Sequence, residues 1–172
     1  MRMRHMLAAA LMAAPALLSA QQRPAKPGQD VTFNVMKANV ARITVADERE
    51  RWRANVEAWE VVMALGAKAG RADLDKLSAS IATMKQNVAK VTEPDEKGRW
   101  QANLALWQRF VASEASFTKT DLPKARATLE KMSANVSRVI EAGEKERWTA
   151  NRGLWQGMID KAAGKLVAGA GE

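Results

Sequence analysis

The stretch ERWRANVEAW, residues 50–59, carries two tryptophans seven residues apart with Asn55 between them. On a helix, all three side chains share one face, because steps of three and four residues return to the same side. The same arrangement recurs in GRWQANLALW at 98–107 and in ERWTANRGLW at 146–155, at a constant offset of 48 residues. These three decapeptides hold all six tryptophans of the chain. The fold therefore follows from one unit used three times.

The repeat extends beyond the decapeptides. Segments 36–63, 84–111 and 132–159 align without a gap, and nine of their 28 columns are identical in all three. In the numbering of the first copy, the identical residues are Met36, Asn39, Val40, Glu48, Arg51, Trp52, Ala54, Asn55 and Trp59. Self-similarity at a fixed period is the sequence signature of a repeat architecture.

Each unit is predicted to form two helices. In the second unit, apolar residues recur at steps of three and four, as on a helix that packs against a partner. These residues are Leu74, Leu77, Ile81, Met84, Val88 and Val91. Residues 92–95 (TEPD) end this helix and begin another, because proline and acidic residues suit a first turn. Gly143 marks nearly the same break in the third unit, and Pro27 and Gly28 shorten the first helix of the first unit.

The predicted fold is all-α, with three tandem helical hairpins that form a short α-solenoid or a compact six-helix bundle. The sequence leaves these two arrangements open. The hairpins are assigned to residues of about 31–69, 72–116 and 120–160. A linker at 21–30 precedes them, and a flexible tail at 161–172 follows.

Residues 1–20 differ from the rest of the chain. Two arginines stand near the start, an apolar run extends over residues 7–18, and the small residue Ala20 ends it. This pattern predicts a secretory signal peptide, cleavage after Ala20 and export to the periplasm or the exterior. The apolar run is too short to span a bilayer, and no later segment is apolar enough to cross one, so we expect no transmembrane segment after cleavage.

The composition restricts the chemistry that the chain can perform. It contains no cysteine, and its one histidine, His5, falls in the predicted signal peptide. Ser-His and Cys-His nucleophile systems and most zinc sites are thereby excluded from the mature chain. Neither a glycine-rich phosphate loop nor a calcium loop occurs, so we expect no catalytic residues, no metal and no cofactor. A glycoside hydrolase that uses two carboxylates is the one enzymatic alternative.

The charge balance favours an anionic partner. The full chain has a net charge of +8, which becomes +6 without Arg2 and Arg4. Such a charge favours contact with nucleic acid, acidic polysaccharide or lipid headgroups. Basic and acidic residues alternate, however, as in DERERWR at 47–53, which is typical of a solvated helix face. We therefore expect a protein or an anionic envelope polymer as the partner, rather than nucleic acid.

The tryptophans allow two interpretations. They either anchor each hairpin to the next in the core, or line a groove that stacks a sugar, an aromatic ligand or a cation. Their spacing is in phase with Val62, Phe110 and Met158 one turn later, which favours the core. The candidate rings are Trp52, Trp59, Trp100, Trp107, Trp148 and Trp155.

Asn55, Asn103 and Asn151 lie in the same stripe, where an amide lowers stability unless its donors and acceptor are paired. One use is to fix register, as buried asparagines do in coiled coils. The candidate partners are then a tryptophan indole N–H, a backbone group or the equivalent asparagine of another unit. The other use is a ligand contact at the floor of a tryptophan-lined site. Recurrence in every unit favours register, because a single ligand site is not normally repeated.

Two further expectations concern polar residues beside the stripe. Glu48 precedes Arg51 by three residues, which predicts an ion pair within one helix, repeated in each unit. Asn87, one of three equivalent asparagines on the first helices, is expected to hydrogen-bond across its hairpin to Arg99 or Trp100.

Together these patterns predict an exported, non-catalytic helical-repeat protein that acts as a binding or interaction module. An anionic envelope component is the partner class that its charge favours. The alternative is a small-ligand or glycan-binding protein that uses tryptophan-lined grooves.

Overall fold

The chain forms six helices, two for each repeat. A computed structural model describes residues 27–65 and 68–168. The helices are α1 (Pro27–Val40), α2 (Ala46–Ala64), α3 (Arg71–Val88), α4 (Pro94–Ala112), α5 (Asp121–Val136) and α6 (Ala142–Ala168). Every regular element in this part of the chain is a helix, which confirms the all-α class.

The turns inside the hairpins lie where the sequence predicted them. α3 ends at Val88 and α4 begins at Pro94, whose missing N–H is not needed in a first turn. Glu93, the N-cap residue, accepts hydrogen bonds from two N–H groups of that turn, and they lower its pKa. Glu141 accepts equivalent bonds at the start of α6. Val45 holds this position before α2 and provides no side-chain cap.

The second helices of the three units form an inner layer. α2, α4 and α6 run parallel around one axis, because Trp52, Trp100 and Trp148 meet at one level and the later tryptophans at another. The first helices form an outer layer: α3 contacts α2 and α4, and α5 contacts α4 and α6. α1 contacts both α2 and α6, so the first unit meets the last. The arrangement is therefore a closed six-helix bundle with approximate threefold symmetry, not an open solenoid.

The ends of the helical part extend past the sequence-based boundaries. α1 begins at Pro27, inside the segment assigned to a linker, because proline suits a first helical turn. α6 continues to Ala168, into the segment 161–172 assigned to a tail, where alanine, lysine and leucine favour a helix. Within the described residues, no helix combines the length and apolar character needed to cross a membrane. The predicted signal peptide (1–20) and residues 169–172 lie outside the described part.

One carboxylate organises the connection between α4 and α5. Asp121, the first residue of α5, accepts hydrogen bonds from the hydroxyls of Ser113 and Thr118 and from the backbone N–H of Thr118. Arg109 adds an ion pair at 3.4 Å. The hydrogen bond from Ser113, followed by that from Thr118, holds the pKa of Asp121 well below its usual range. The folded state therefore favours the ionised form of Asp121.

Replacing Asp121 by Asn should lower the free energy of unfolding in a pH-dependent manner. Because the folded-state pKa is depressed, the stabilisation is fully present above the unfolded-state pKa of about 4 and is lost as the pH falls towards the folded-state value. Urea unfolding followed by circular dichroism, on the wild type and on Asp121→Asn, measures the loss of unfolding free energy at pH 7 and at pH 3, and the loss should be larger at pH 7. Glu130→Gln, which removes an exposed carboxylate from α5, is the control. An equal loss for Asp121→Asn at both pH values would contradict this role.

Candidate functional site

The inner helices present a heptad-spaced face to the axis. In α2, positions 48, 52, 55, 59 and 62 step by four and three residues, the spacing of a coiled-coil seam. α4 and α6 repeat these positions 48 and 96 residues later. Because the helices are parallel, equivalent residues meet in layers. From the N-terminal end these are a glutamate layer, an upper tryptophan layer, an asparagine ring, a lower tryptophan layer and a final apolar layer.

Each tryptophan layer is a closed triangle of three rings. The upper layer contains Trp52, Trp100 and Trp148, with ring centroids 4.8–4.9 Å apart and interplanar angles of 63–68°. The lower layer contains Trp59, Trp107 and Trp155, with centroids 4.5–4.8 Å apart and angles of 60–67°. Every pair is edge-to-face, which places the positive edge of one ring on the negative face of the next. Each ring thus stabilises both of its neighbours.

The asparagine ring, Asn55, Asn103 and Asn151, lies between the tryptophan layers, and its members are 0% exposed. Each amide N–H donates to the Oδ1 of the preceding unit's asparagine. The N···O distances are 3.0 Å from Asn55 to Asn151, 2.9 Å from Asn103 to Asn55 and 3.0 Å from Asn151 to Asn103. Each Oδ1 also accepts an indole N–H of the lower tryptophan layer at 2.8–2.9 Å. Both lone pairs of every Oδ1 are therefore used.

In the first two units, a methionine of the outer layer accepts a second hydrogen bond from the amide. Nδ2 of Asn55 contacts Sδ of Met36 at 3.8 Å, and Nδ2 of Asn103 contacts Sδ of Met84 at 3.4 Å. Met132 occupies the equivalent position in the third unit and is fully buried. Sulfur is a weak acceptor. This contact gives a physical reason for the methionine in the first two units, and burial in the core is what Met132 shares with them.

All nine residues selected from the sequence as ligand or register candidates meet in this axial column. The six rings are only 0–1% exposed, so none offers a face to a sugar, a cation or an aromatic ligand. The asparagines find two of the partners considered for a register role, the equivalent asparagine and an indole N–H. The tryptophans and asparagine of each of the three units are equally inaccessible to solvent. The geometry therefore supports packing and register for this column.

Ion pairs between units take the place of the intrahelical pairs expected from the sequence. They join Arg51 to Glu96, Arg99 to Glu144 and Arg147 to Glu48, with N···O distances of 2.6–2.7 Å. The expectation was wrong because closure brings the first turns of the inner helices together, so the next unit's glutamate is nearer than the arginine's own. Each guanidinium also lies over an upper-layer ring of the next unit, 5.7–6.0 Å from its centroid. These contacts join the units at the N-terminal end of the axis.

The glutamate layer is less completely satisfied than the asparagine ring. Burial raises the pKa of Glu48, Arg147 opposes this rise, and Glu96 and Glu144 add to it.

Within the described residues, no group of three or more acidic, histidine or cysteine side chains can hold a metal ion. Beside the glutamate layer, five buried nitrogens have no hydrogen-bond partner among the described residues. They are Nε of Arg51, Arg99 and Arg147 and Nε1 of Trp100 and Trp148. Because unpaired buried donors are unfavourable, the asparagine ring is the better satisfied polar layer.

The asparagines of the outer helices have different roles. Asn87 donates to the backbone carbonyl of Thr83 in its own helix at 3.2 Å. The expected hydrogen bond across the hairpin was wrong, because Arg99 turns towards the axis and the next unit. Asn39 donates to Glu146 of α6 at 2.7 Å and thereby joins the first unit to the last.

An open cleft between α1 and α2, here named the first-unit groove, has a volume of about 360 Å³. Small-molecule sites commonly measure roughly 300–1,000 Å³. The residues that line it are Lys37, Val40, Ala41, Arg49, Arg53, Val56, Glu57 and Glu60. Val40 and Val56 form a buried apolar floor, and the charged side chains around it are exposed. The groove thus combines apolar surface with accessible charge.

The charges of the groove form two groups. Arg49 and Arg53 lie one turn apart on α2, at the end next to the turn from α1. Glu57 and Glu60 follow on the same helix, and Lys37 of α1 pairs with Glu60 at 2.5 Å. Arg49 reaches a backbone carbonyl at 3.5 Å, and Arg53 has no side-chain hydrogen bond or ion pair within residues 27–65 and 68–168. Both guanidinium groups are therefore accessible to a ligand.

The first-unit groove lies where the repeats differ. Arg53, Glu57 and Glu60 correspond to Gln101, Ala105 and Gln108 in the second unit and to Thr149, Gly153 and Gln156 in the third. The floor residue Val56 corresponds to the larger Leu104 and Arg152. Sequence reasoning missed this groove because it followed the identical columns. The signal lay in the columns that differ.

The fold and its axial column define a class of protein: a single-chain, three-repeat helical bundle with a parallel inner layer. Family models, curated proteins and solved structures contain no match to the chain. The particular function must therefore be inferred from the site itself.

Trp100→Ala should lower the free energy of unfolding by about 3–5 kcal/mol, the range for large core truncations. Trp100 is fully buried and contacts both other rings of the upper tryptophan layer. Chemical unfolding followed by circular dichroism measures the loss, with the exposed neighbour substitution Gln101→Ala as the control. A free energy of unfolding equal to that of the wild type would contradict the core role.

Asn103→Leu should destabilise the fold by about 2–6 kcal/mol. It leaves two buried donors, Nδ2 of Asn151 and Nε1 of Trp155, without their acceptor. Each unpaired donor costs about 1–3 kcal/mol.

Replacing all three asparagines by leucine should lower the free energy of unfolding by less than three times the loss caused by Asn103→Leu alone. The triple variant leaves only the three lower-layer indole N–H groups unpaired, because the unpaired amides are removed together. The same unfolding measurement on single and triple variants checks this. Additive losses would contradict a cyclic network.

Proposed function

We propose that the protein is an exported, non-catalytic binding module that contacts an anionic polymer of the cell envelope. The main support for this proposal is a contrast between two parts of the structure: the interior is fully packed, whereas the first-unit groove presents accessible basic side chains. The interior engages all six tryptophans and the asparagine ring with one another. Arg49 and Arg53 remain accessible in the first-unit groove.

The charge of the chain supports an anionic partner. The net charge of +6 after the predicted signal peptide gives a long-range attraction to polyanions. Three basic side chains, Lys37, Arg49 and Arg53, line the first-unit groove. Arginine suits such a partner because its planar guanidinium binds carboxylate and phosphate oxygens in pairs.

The non-catalytic part of the proposal rests on the absence of histidine and cysteine from residues 21–172 and on the engagement of the axial glutamates. Each of Glu48, Glu96 and Glu144 is paired with an arginine of another unit. Export rests on the signal-peptide pattern at residues 1–20. An envelope polymer is the anionic partner that a protein sent to that compartment would meet.

Binding to defined polymers tests the proposal. The purified chain should be retained on immobilised polygalacturonate and not on neutral dextran, and retention should fall as NaCl is raised from 50 to 300 mM, because salt screens exposed charges. Reducing-end assays on the soluble polymers should show no hydrolysis. Equal retention on dextran, or no retention on polygalacturonate at low salt, would overturn the anionic partner. Hydrolysis would overturn the non-catalytic assignment.

A further inference from the structure

We infer that the first-unit groove binds one acidic sugar unit, with its carboxylate on Arg49 and Arg53. This inference rests on the proposed function and specifies the site and the chemical class of the partner. A volume of about 360 Å³ accommodates a single sugar ring with part of its neighbours, and an open groove allows a longer chain to pass through.

The arginine pair provides the anion site. Arg49 and Arg53 lie four residues apart on α2, so their side chains extend from the same face of the helix. Neither has a carboxylate partner in the described part of the chain. A carboxylate is therefore the group that their N–H donors lack, and a charge-assisted hydrogen bond to it is among the stronger polar contacts.

The rest of the groove suits a sugar ring better than a bare anion. Ala41, which is exposed, and the small accessible parts of Val40 and Val56 line the groove and offer apolar contact to the C–H face of the ring. Glu57, which is exposed and has no side-chain partner in the described residues, can accept a hydrogen bond from a ring hydroxyl. Glu60 is held by Lys37 across the cleft. A site of anion donors, apolar floor and hydroxyl acceptor matches a carboxylate-bearing sugar.

The charge balance favours a singly charged unit. Three cations and two carboxylates line the groove, which leaves an excess of one positive charge. A single carboxylate neutralises this excess, whereas a dianionic phosphate monoester would leave the occupied site negative. Glycerol phosphate is therefore the comparison ligand that distinguishes the two anions.

The test is isothermal titration calorimetry of the full chain with trigalacturonate, neutral maltotriose and glycerol 1-phosphate. The wild type should bind trigalacturonate, bind glycerol 1-phosphate at least tenfold more weakly, and give no heat with maltotriose. Tighter binding of glycerol 1-phosphate, or equal binding of maltotriose, would overturn the acidic sugar.

Two matched double variants locate the site. Arg49→Gln with Arg53→Gln should weaken trigalacturonate binding at least tenfold. Lys97→Gln with Lys145→Gln removes the same charge from the positions equivalent to Arg49 in the other units and should change binding less than twofold. Both variants should keep the wild-type melting temperature, measured by circular dichroism, because three of the altered side chains are exposed, Lys97 is half-buried, and none forms an ion pair in the described residues.

A third variant separates sugar recognition from charge attraction alone. Glu57→Ala makes the groove more positive but removes the hydroxyl acceptor, so binding should weaken about fivefold, the equivalent of one ordinary hydrogen bond. Tighter binding would show that only charge matters and would overturn the acidic-sugar assignment.

The outcomes distinguish this inference from the proposed function. If the wild type is not retained on polygalacturonate, the proposed function fails and the inference fails with it. If retention and trigalacturonate binding survive Arg49→Gln with Arg53→Gln, or fall equally in both double variants, the groove is not the site. In that case the inference fails and the proposed function stands.

Discussion

The hydrogen-bonded asparagine ring is the constraint on which the rest of the bundle depends. Three amides can close a cycle only when their helices are parallel and at the same height, and Asn55, Asn103 and Asn151 do so with N···O distances of 2.9–3.0 Å. Parallel neighbours in one chain need a return path of similar length. α3, with 18 residues, provides it between α2 and α4, with 19 each. The outer layer is therefore a consequence of the inner one.

The tryptophan layers and the asparagine ring have complementary roles. The six indoles are the largest fully buried side chains, but the two layers contain the same residue and do not distinguish one register from another. If α2 slid by seven residues, Trp59 would replace Trp52 against Trp100, and Val62 would replace Asn55 beside Asn103. The aromatic contact would survive, whereas Asn103 would lose its amide partner in a dry interior. The polar ring thus specifies the register that the aromatic layers stabilise.

The parts of this structure that the sequence predicted are those that repeat. The hairpins, the break before Pro94 and the asparagine partners follow from periodicity and from the need to pair a buried amide. Closure of the ring did not follow, because the same stripes suit an open solenoid. The pairing of Arg51 with Glu96 depends on closure and was therefore missed as well. The first-unit groove is lined by Arg53, Glu57 and Glu60, which the other two units do not share, so no periodic pattern indicates it.

Threefold repetition also explains why a site lies where the copies differ. In the first unit, eight of the nine repeated residues are buried and Glu48 is partly buried, so the common residues are engaged in holding the units together. A residue that all three units need inside cannot be altered for a ligand without weakening the axis. The outward positions are free of that constraint, and α2 carries Arg53 and Glu57 where α6 has threonine and glycine. Recognition can therefore develop on one unit while the other two preserve the scaffold.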